Sequence, residues 1–183
     1  MDKKSSITVN TLVKAAMLAA LSIVLMYLVR FPIFPSAAYL EYDMADVPIL
    51  IGTFMFGPLV GLAITLIVCV IQAISVSASS GWVGAVMHFI ATGGLVIVAG
   101  LIYKKNHTRK GAVAGLLIGA FVSILLMIPL NLIMTPLFNG VPVDAVKAML
   151  VPIIIPFNAI KAVINCTVTF VLYKALSRLF KRI

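Results

Sequence analysis

Residues 47–75 read VPILIGTFMFGPLVGLAITLIVCVIQAIS, a stretch without one charged side chain and long enough to be a single helix. Gly57-Pro58 interrupts it. Proline has no backbone N–H to donate, and its ring clashes with the turn before it. The pair therefore predicts two helices, over 47–57 and 58–76, with a turn between them. That choice sets how many times the chain crosses a membrane, and with it the fold.

A membrane is required by composition. The chain has 183 residues, 63% of them hydrophobic and only 10% charged, which the surface of a small soluble domain cannot accommodate. At about 20 residues per span there is room for a single membrane-embedded domain, 1–183, and no extramembrane domain. Apolar periodicity predicts an all-α integral membrane bundle with helices at 9–30, 47–57, 58–76, 82–104, 111–136 and 151–178. A cleaved signal peptide is the rival reading of the first forty residues, from Lys3 and Lys4 to the small residues Ser36, Ala37 and Ala38. An uncleaved first helix is simpler, because its apolar run continues into Arg30 and further spans follow.

The net charge of +9 would suggest nucleic acid in a soluble protein. Here the cations flank apolar runs, which points to membrane topology and to no nucleic-acid partner. They form three groups: Lys3/Lys4/Lys14, Lys104/Lys105/Arg109/Lys110 and Lys174/Arg178/Lys181/Arg182. If all three face the cytoplasm, an even number of crossings separates each pair. A turn at Gly57-Pro58 gives four crossings before residue 104, and a continuous helix gives three. Six transmembrane helices with both termini cytoplasmic satisfy the rule, leaving the connections 31–46, 76–82 and 137–150 outside.

The first outer connection is long and carries three of the five carboxylates, Glu41, Asp43 and Asp46, among the aromatics Phe31, Phe34, Tyr39 and Tyr42. It leads into a helix covering only ~16 Å, about half of the hydrocarbon core. Irregular backbone at that depth is tolerated only inside protein or along a cavity, so a cavity open to the outside is implied. The plainer reading makes Asp46 the cap of the helix starting at Val47-Pro48 and the aromatics an interfacial belt.

Polar groups inside the spans are costly and mark candidate sites. On the last helix Asn158, Lys161 and Asn165 share one face. Lys161 lies ~14 Å beyond Pro152, too deep to snorkel easily. Asn131 follows Pro129 on the preceding helix. Together these residues could line a polar pocket. Alternatively, Asn131 and Asn158 bond to each other or to carbonyls freed by Pro129 and Pro156. His88 faces either the cavity or a packing contact. Gly111, Gly115 and Gly119 have the small-xxx-small spacing of close helix packing, more often internal than dimeric. Cys69 and Cys166 lie in apolar segments and act as small hydrophobes, with no disulfide framework and no metal spacing. The sequons at Asn106 and Asn165 fall on the cytoplasmic side and within a span, where glycosylation is not expected.

No G-x-x-x-x-G-K-[ST], H-E-x-x-H or G-x-S-x-G occurs. Nothing therefore supports ATP binding by this chain or a catalytic residue, and a binding subunit is the better reading. The segments LEYDMADVPILIGTFMFGPLVG (40–61), GAVMHFIATGG (84–94) and IIPFNAIKA (154–162) resemble the riboflavin-binding S component of energy-coupling factor (ECF) vitamin transporters. The resemblance implies a subunit of the bacterial cytoplasmic membrane, without catalytic residues or cofactor, whose bound riboflavin is its substrate. It further implies a transmembrane coupling protein and two cytoplasmic ATPases as partners. Asn131, Asn158 and Lys161 match the family's ring-binding groups, the segment around Tyr39, Leu40 and Glu41 matches the part that closes over the vitamin, and His88 is a further candidate contact. The alanine face Ala15, Ala16, Ala19 and Ala20 matches the surface that docks on the coupling protein. Another vitamin, such as pantothenate, biotin or thiamine, is the alternative substrate. A small membrane enzyme is the alternative class.

Overall fold

A computed structural model describes residues 8–75 and 81–180. Lys3, Lys4, Lys181, Arg182, most of the 76–82 connection and the side chains of Lys174 and Arg178 lie outside the described residues. The helices are α1 (Val9–Leu28), α2 (Asp46–Phe56), α3 (Pro58–Ile74), α4 (Gly81–Lys105), α5 (Arg109–Asn139), α6 (Val143–Met149) and α7 (Ile155–Phe180). Two short strands, β1 (Arg30–Pro32) and β2 (Glu41–Asp43), lie between α1 and α2.

The decisive stretch breaks where its sequence requires. Gly57 adopts φ 93°, a conformation that favours glycine, and Pro58 opens α3 where its missing N–H costs nothing. The two helices run back along each other: a side chain at Gly52 would meet Ile64, and one at Gly61 would meet Thr53. The shortness of α2 has a packing explanation. Nine of its eleven residues are buried, because α1, α3, α4 and α7 surround it. Protein takes the place of lipid around this helix, so it need not match the bilayer thickness.

Elsewhere local signals set the ends. The Thr8 side chain accepts a hydrogen bond from the Thr11 N–H at the start of α1, and Thr108 accepts from Gly111 at the start of α5. Along the α4–α5 seam, a Cβ on Gly115 would lie 2.9 Å from the Ala99 carbonyl oxygen, and one on Gly119 2.9 Å from that of Leu95. The glycine spacing thus serves packing within the bundle, where two backbones approach closely.

Two expectations are corrected. The connection 137–150 is mostly helical: α5 continues through Pro136 to Asn139, Gly140 terminates it with φ 64°, and α6 begins after Pro142. One wide turn, Leu150–Ile154, joins α6 to α7, with the Ile155 N–H reaching the Leu150 carbonyl. Pro152 lies in this turn and has no N–H to give, which favours such a local widening. The connection 31–46 is also ordered, as an antiparallel ribbon pairing Arg30 with Asp43, Phe31 with Tyr42 and Pro32 with Glu41, around a 3₁₀ turn at Pro35–Ala37.

Among the described residues four segments are long and apolar enough to cross a membrane: Val9–Leu28, Trp82–Lys105, Arg109–Phe138 and Val143–Tyr173. The helices α2 and α3 are apolar but shorter. The core splits in two. One part joins Leu18, Met26, Ile49, Leu50, Ile64, Val68, Leu95 and Val96 around α2. The other packs Ala37, Leu40 and Tyr42 of the ribbon on Val146, Ile154 and Phe157.

Candidate functional site

The ribbon forms a strap over one end of the bundle, and beneath it lies a cavity of about 440 Å³. Apolar contacts seat the strap: Ala37 and Tyr42 are buried against α6 and α7, and Phe31 stacks at 5.2 Å on Tyr42. Arg30 and Glu41 then form an ion pair along its edge, with the guanidinium Nε donating at 2.8 Å. Tyr39, Leu40, Glu41, His88, Asn131, Asn158 and Lys161 all line the cavity. Residues far apart in sequence therefore converge on one space.

The acidic cluster acquires its reason here. Lys161 Nζ on α7 donates at 2.8 Å to Asp43 Oδ2 at the end of the strap and lies 4.0 Å from Asp46 Oδ2. A lysine at membrane depth needs a counter-charge, and the strap brings it in from 118 residues away. Asp46 is the centre of the network. Its Oδ1 accepts from Thr92 at 3.0 Å and stands 2.9 Å from His88 Nε2, while its Oδ2 accepts from Asn165 Nδ2 at 3.1 Å. The far ring nitrogen of His88 is 2.5 Å from Gln72 Oε1. Tyr42 donates at 2.9 Å to Asn165 Oδ1, and burial pushes its phenol above the ordinary range, keeping the O–H as a donor. Strand β2 and helices α2, α3, α4 and α7 are thereby joined by one set of polar contacts.

Asp46 corrects a sequence-based expectation. It is the first residue of α2 rather than its cap, the residue in the cap position is Ala45, and no side chain caps that end. The carboxylate that could have capped the helix is taken up by tertiary partners. Asp43 makes the local turn instead, with its Oδ1 accepting from the Ala45 N–H at 3.0 Å.

The two asparagines bond neither to each other nor to the proline-freed carbonyls. Asn131 Nδ2 donates to the Met127 carbonyl and Asn158 Nδ2 to the Ile154 carbonyl, both at 2.8 Å and one turn back on their own helices. Each amide keeps a second N–H. Asn131 Oδ1 accepts from Thr135, whereas Asn158 Oδ1 has no protein donor among the described residues. Met26, Met87, Met127 and Met134 supply polarizable apolar wall beside these groups. The cavity thus combines a charged end, two amides and a soft apolar wall, the balance found in small-molecule sites. Among the described residues no group of His, Cys, Asp and Glu is arranged to hold a metal ion.

Eight further polar residues join the seven expected ones: Arg30, Asp43, Asp46, Gln72, Thr92, Ser123, Thr135 and Asn165. Gln72 and Asn165 had a visible signal as amides in apolar runs. The two aspartates had one as well, since an intramembrane lysine needs acids and few exist. The alanine face on α1 divides: Ala19 is buried and Ala15 half-buried against the core, while Ala16 and Ala20 are exposed.

Known proteins share much of this sequence and its fold. Residues 10–173 match the family model for "ECF transporter, substrate-specific component". A riboflavin transporter of Staphylococcus aureus, RibU, is 32% identical, over 94% of this chain and 93% of its own. The riboflavin transporter FmnP of Bacillus subtilis is 34% identical over 88% of each chain. A solved structure of the S component of a bacterial ECF transporter superimposes with a TM-score of 0.78 at 31% identity, covering 93% of this chain and 97% of the other.

Proposed function

Because the chain belongs to the substrate-specific components of ECF transporters, we propose that it captures riboflavin in the cavity beneath the strap and delivers it for uptake by an energy-coupling module. It is a multi-pass protein of the bacterial cell membrane. The observation that carries the ligand assignment is the convergence of Asn131, Asn158 and Lys161 with four methionines on one cavity. The pyrimidine edge of a flavin alternates carbonyl acceptors with an imide donor. The spare N–H of each asparagine and the Asn158 Oδ1 answer those groups in kind, and Lys161 has donors beyond the one given to Asp43. The dimethylbenzene end suits the methionine wall. Tyr39 and Leu40 close the top, Glu41 fixes the strap through Arg30, and His88 acts through Asp46 and Gln72, shaping the polar end.

In this reading α2 and α3 complete six crossings. The strap faces outside, and both termini and the 104–110 connection face the cytoplasm. Energy is supplied by a transmembrane coupling protein with two ATPases, and docking uses the exposed pair Ala16 and Ala20, whose small side chains admit another helix closely. Two experiments test the proposal. Titration of the purified protein with riboflavin should quench flavin fluorescence and saturate at one equivalent, and a protein that leaves the fluorescence unchanged is not a riboflavin carrier. A Lys105→Cys thiol should resist an impermeant reagent added to intact cells, and labelling from outside would overturn the topology.

A further inference from the structure

The end of the bundle away from the strap carries a second cavity, of about 400 Å³, between the α4–α5 connection and α7. Its walls change character along its depth. Tyr103 and Tyr173 form its aromatic side, with their hydroxyls 2.6 Å apart, and the His107 ring stands edge-on at 5.0 Å from Tyr103. Phe170 and Val171 extend it along the exposed apolar face of α7. Thr108 and Arg109 close it at the helix ends.

Charge makes this end unusual. Lys104, Lys105, Arg109 and Lys110 are all exposed, and none forms an ion pair among the described residues. Four of the chain's five carboxylates are committed elsewhere: Glu41 to Arg30, Asp43 and Asp46 to the Lys161 network, Asp144 to Lys147. The fifth, Asp2, lies outside the described residues. Arg109 at the rim beside aromatic groups, flanked in sequence by the exposed Lys104, Lys105 and Lys110 and opening onto an apolar lane, matches the layered chemistry of a phospholipid.

We propose that this slot binds an anionic phospholipid, its phosphate held by Arg109 with His107, and its acyl chain lying along Phe170 and Val171. A free phosphate would use the rim but leave the apolar lane empty. An acidic segment of a partner protein would likewise gain little from a lane that faces lipid. The proposal is independent of the identity of the vitamin.

The test is native mass spectrometry of the full-length protein with phosphatidylglycerol or phosphatidylcholine of identical acyl chains, with riboflavin titration run in parallel. Phosphatidylglycerol should stay bound under activation that strips phosphatidylcholine, and millimolar inorganic phosphate should not displace it. Arg109→Gln should weaken phosphatidylglycerol retention about fivefold, the effect of one cation near an anionic headgroup, and leave riboflavin affinity unchanged. Equal retention of the two lipids, or displacement by inorganic phosphate, would overturn the proposal. So would undiminished retention in a folded Arg109→Gln, and so would loss of coupling-module association in that variant with lipid retention intact, which marks a protein interface. If Arg109→Gln does not fold, the headgroup comparison and phosphate competition on the unsubstituted protein decide the matter. Failure of riboflavin to bind would remove the transport reading and leave the lipid result standing.

Discussion

The two ends of the bundle treat charge in opposite ways. Under the strap, Asp43, Asp46 and Lys161 are drawn out of solvent and joined to His88, Thr92 and Asn165. At the α4–α5 connection four cations stay exposed, and none is joined to a carboxylate among the described residues. Buried ions stabilise a structure only while their partners and hydrogen bonds are complete, whereas exposed ones contribute little whatever their arrangement. The strap end is therefore specific and brittle. The basic end is tolerant and available to other molecules.

The largest effect is expected from Lys161→Ala. It leaves Asp43 and Asp46 buried without their cation, which should cost about 3–5 kcal/mol of stability, read as a lower unfolding midpoint of the vitamin-free protein in detergent. Adding Asp43→Asn should recover part of that loss, because the uncompensated charge is removed. A double variant no more stable than the single would show that the ion pair is not what holds the strap.

Bulk on α1 should separate its two faces. Ala19→Trp fills space already occupied by the core and should destabilise the subunit by about 1–3 kcal/mol, weakening riboflavin binding with it. Ala16→Trp should leave folding and binding intact yet prevent co-purification of the coupling protein. Normal uptake with Ala16→Trp would exclude that face from docking. Asn131→Ala belongs in the same range: it weakens riboflavin by about 1–3 kcal/mol, or five- to 150-fold in Kd, and also removes the acceptor of the Thr135 hydroxyl. Calorimetric titration of a folded variant with unchanged affinity would remove Asn131 from the site.

The smallest effects sharpen the contrast between the ends. The Arg30–Glu41 pair is partly exposed, so Arg30→Ala should change stability by less than about 1 kcal/mol. Lys104→Gln and Lys105→Gln should fall within about 0.5 kcal/mol of the parent, as usual for surface sites without a packing role. A loss of several kcal/mol in either lysine variant would mean that the basic end is structurally committed after all.

Much of this molecule is legible in the linear order of its residues. The sequence by itself determined that the chain lives in a membrane, that α2 and α3 part at Gly57-Pro58, and that Asn131, Asn158 and Lys161 are out of place in lipid. Those conclusions follow from local rules: side-chain transfer cost, the geometry of proline and glycine, and the period of a helix. Only the tertiary structure decided which carboxylate answers which cation. From sequence, Asp46 had the position of a helix cap and Asp43 that of a loop acid. In the fold Asp46 binds His88, Thr92 and Asn165, and Asp43 crosses 118 residues to Lys161. Likewise, only packing showed that Ala19 is core while Ala16 is surface, one turn apart on the same helix. The reason is physical: an ion buried at membrane depth takes the partner that the surrounding helices bring within about 3 Å. Helix periodicity constrains direction along one element, and distance between elements arises only when all of them have packed.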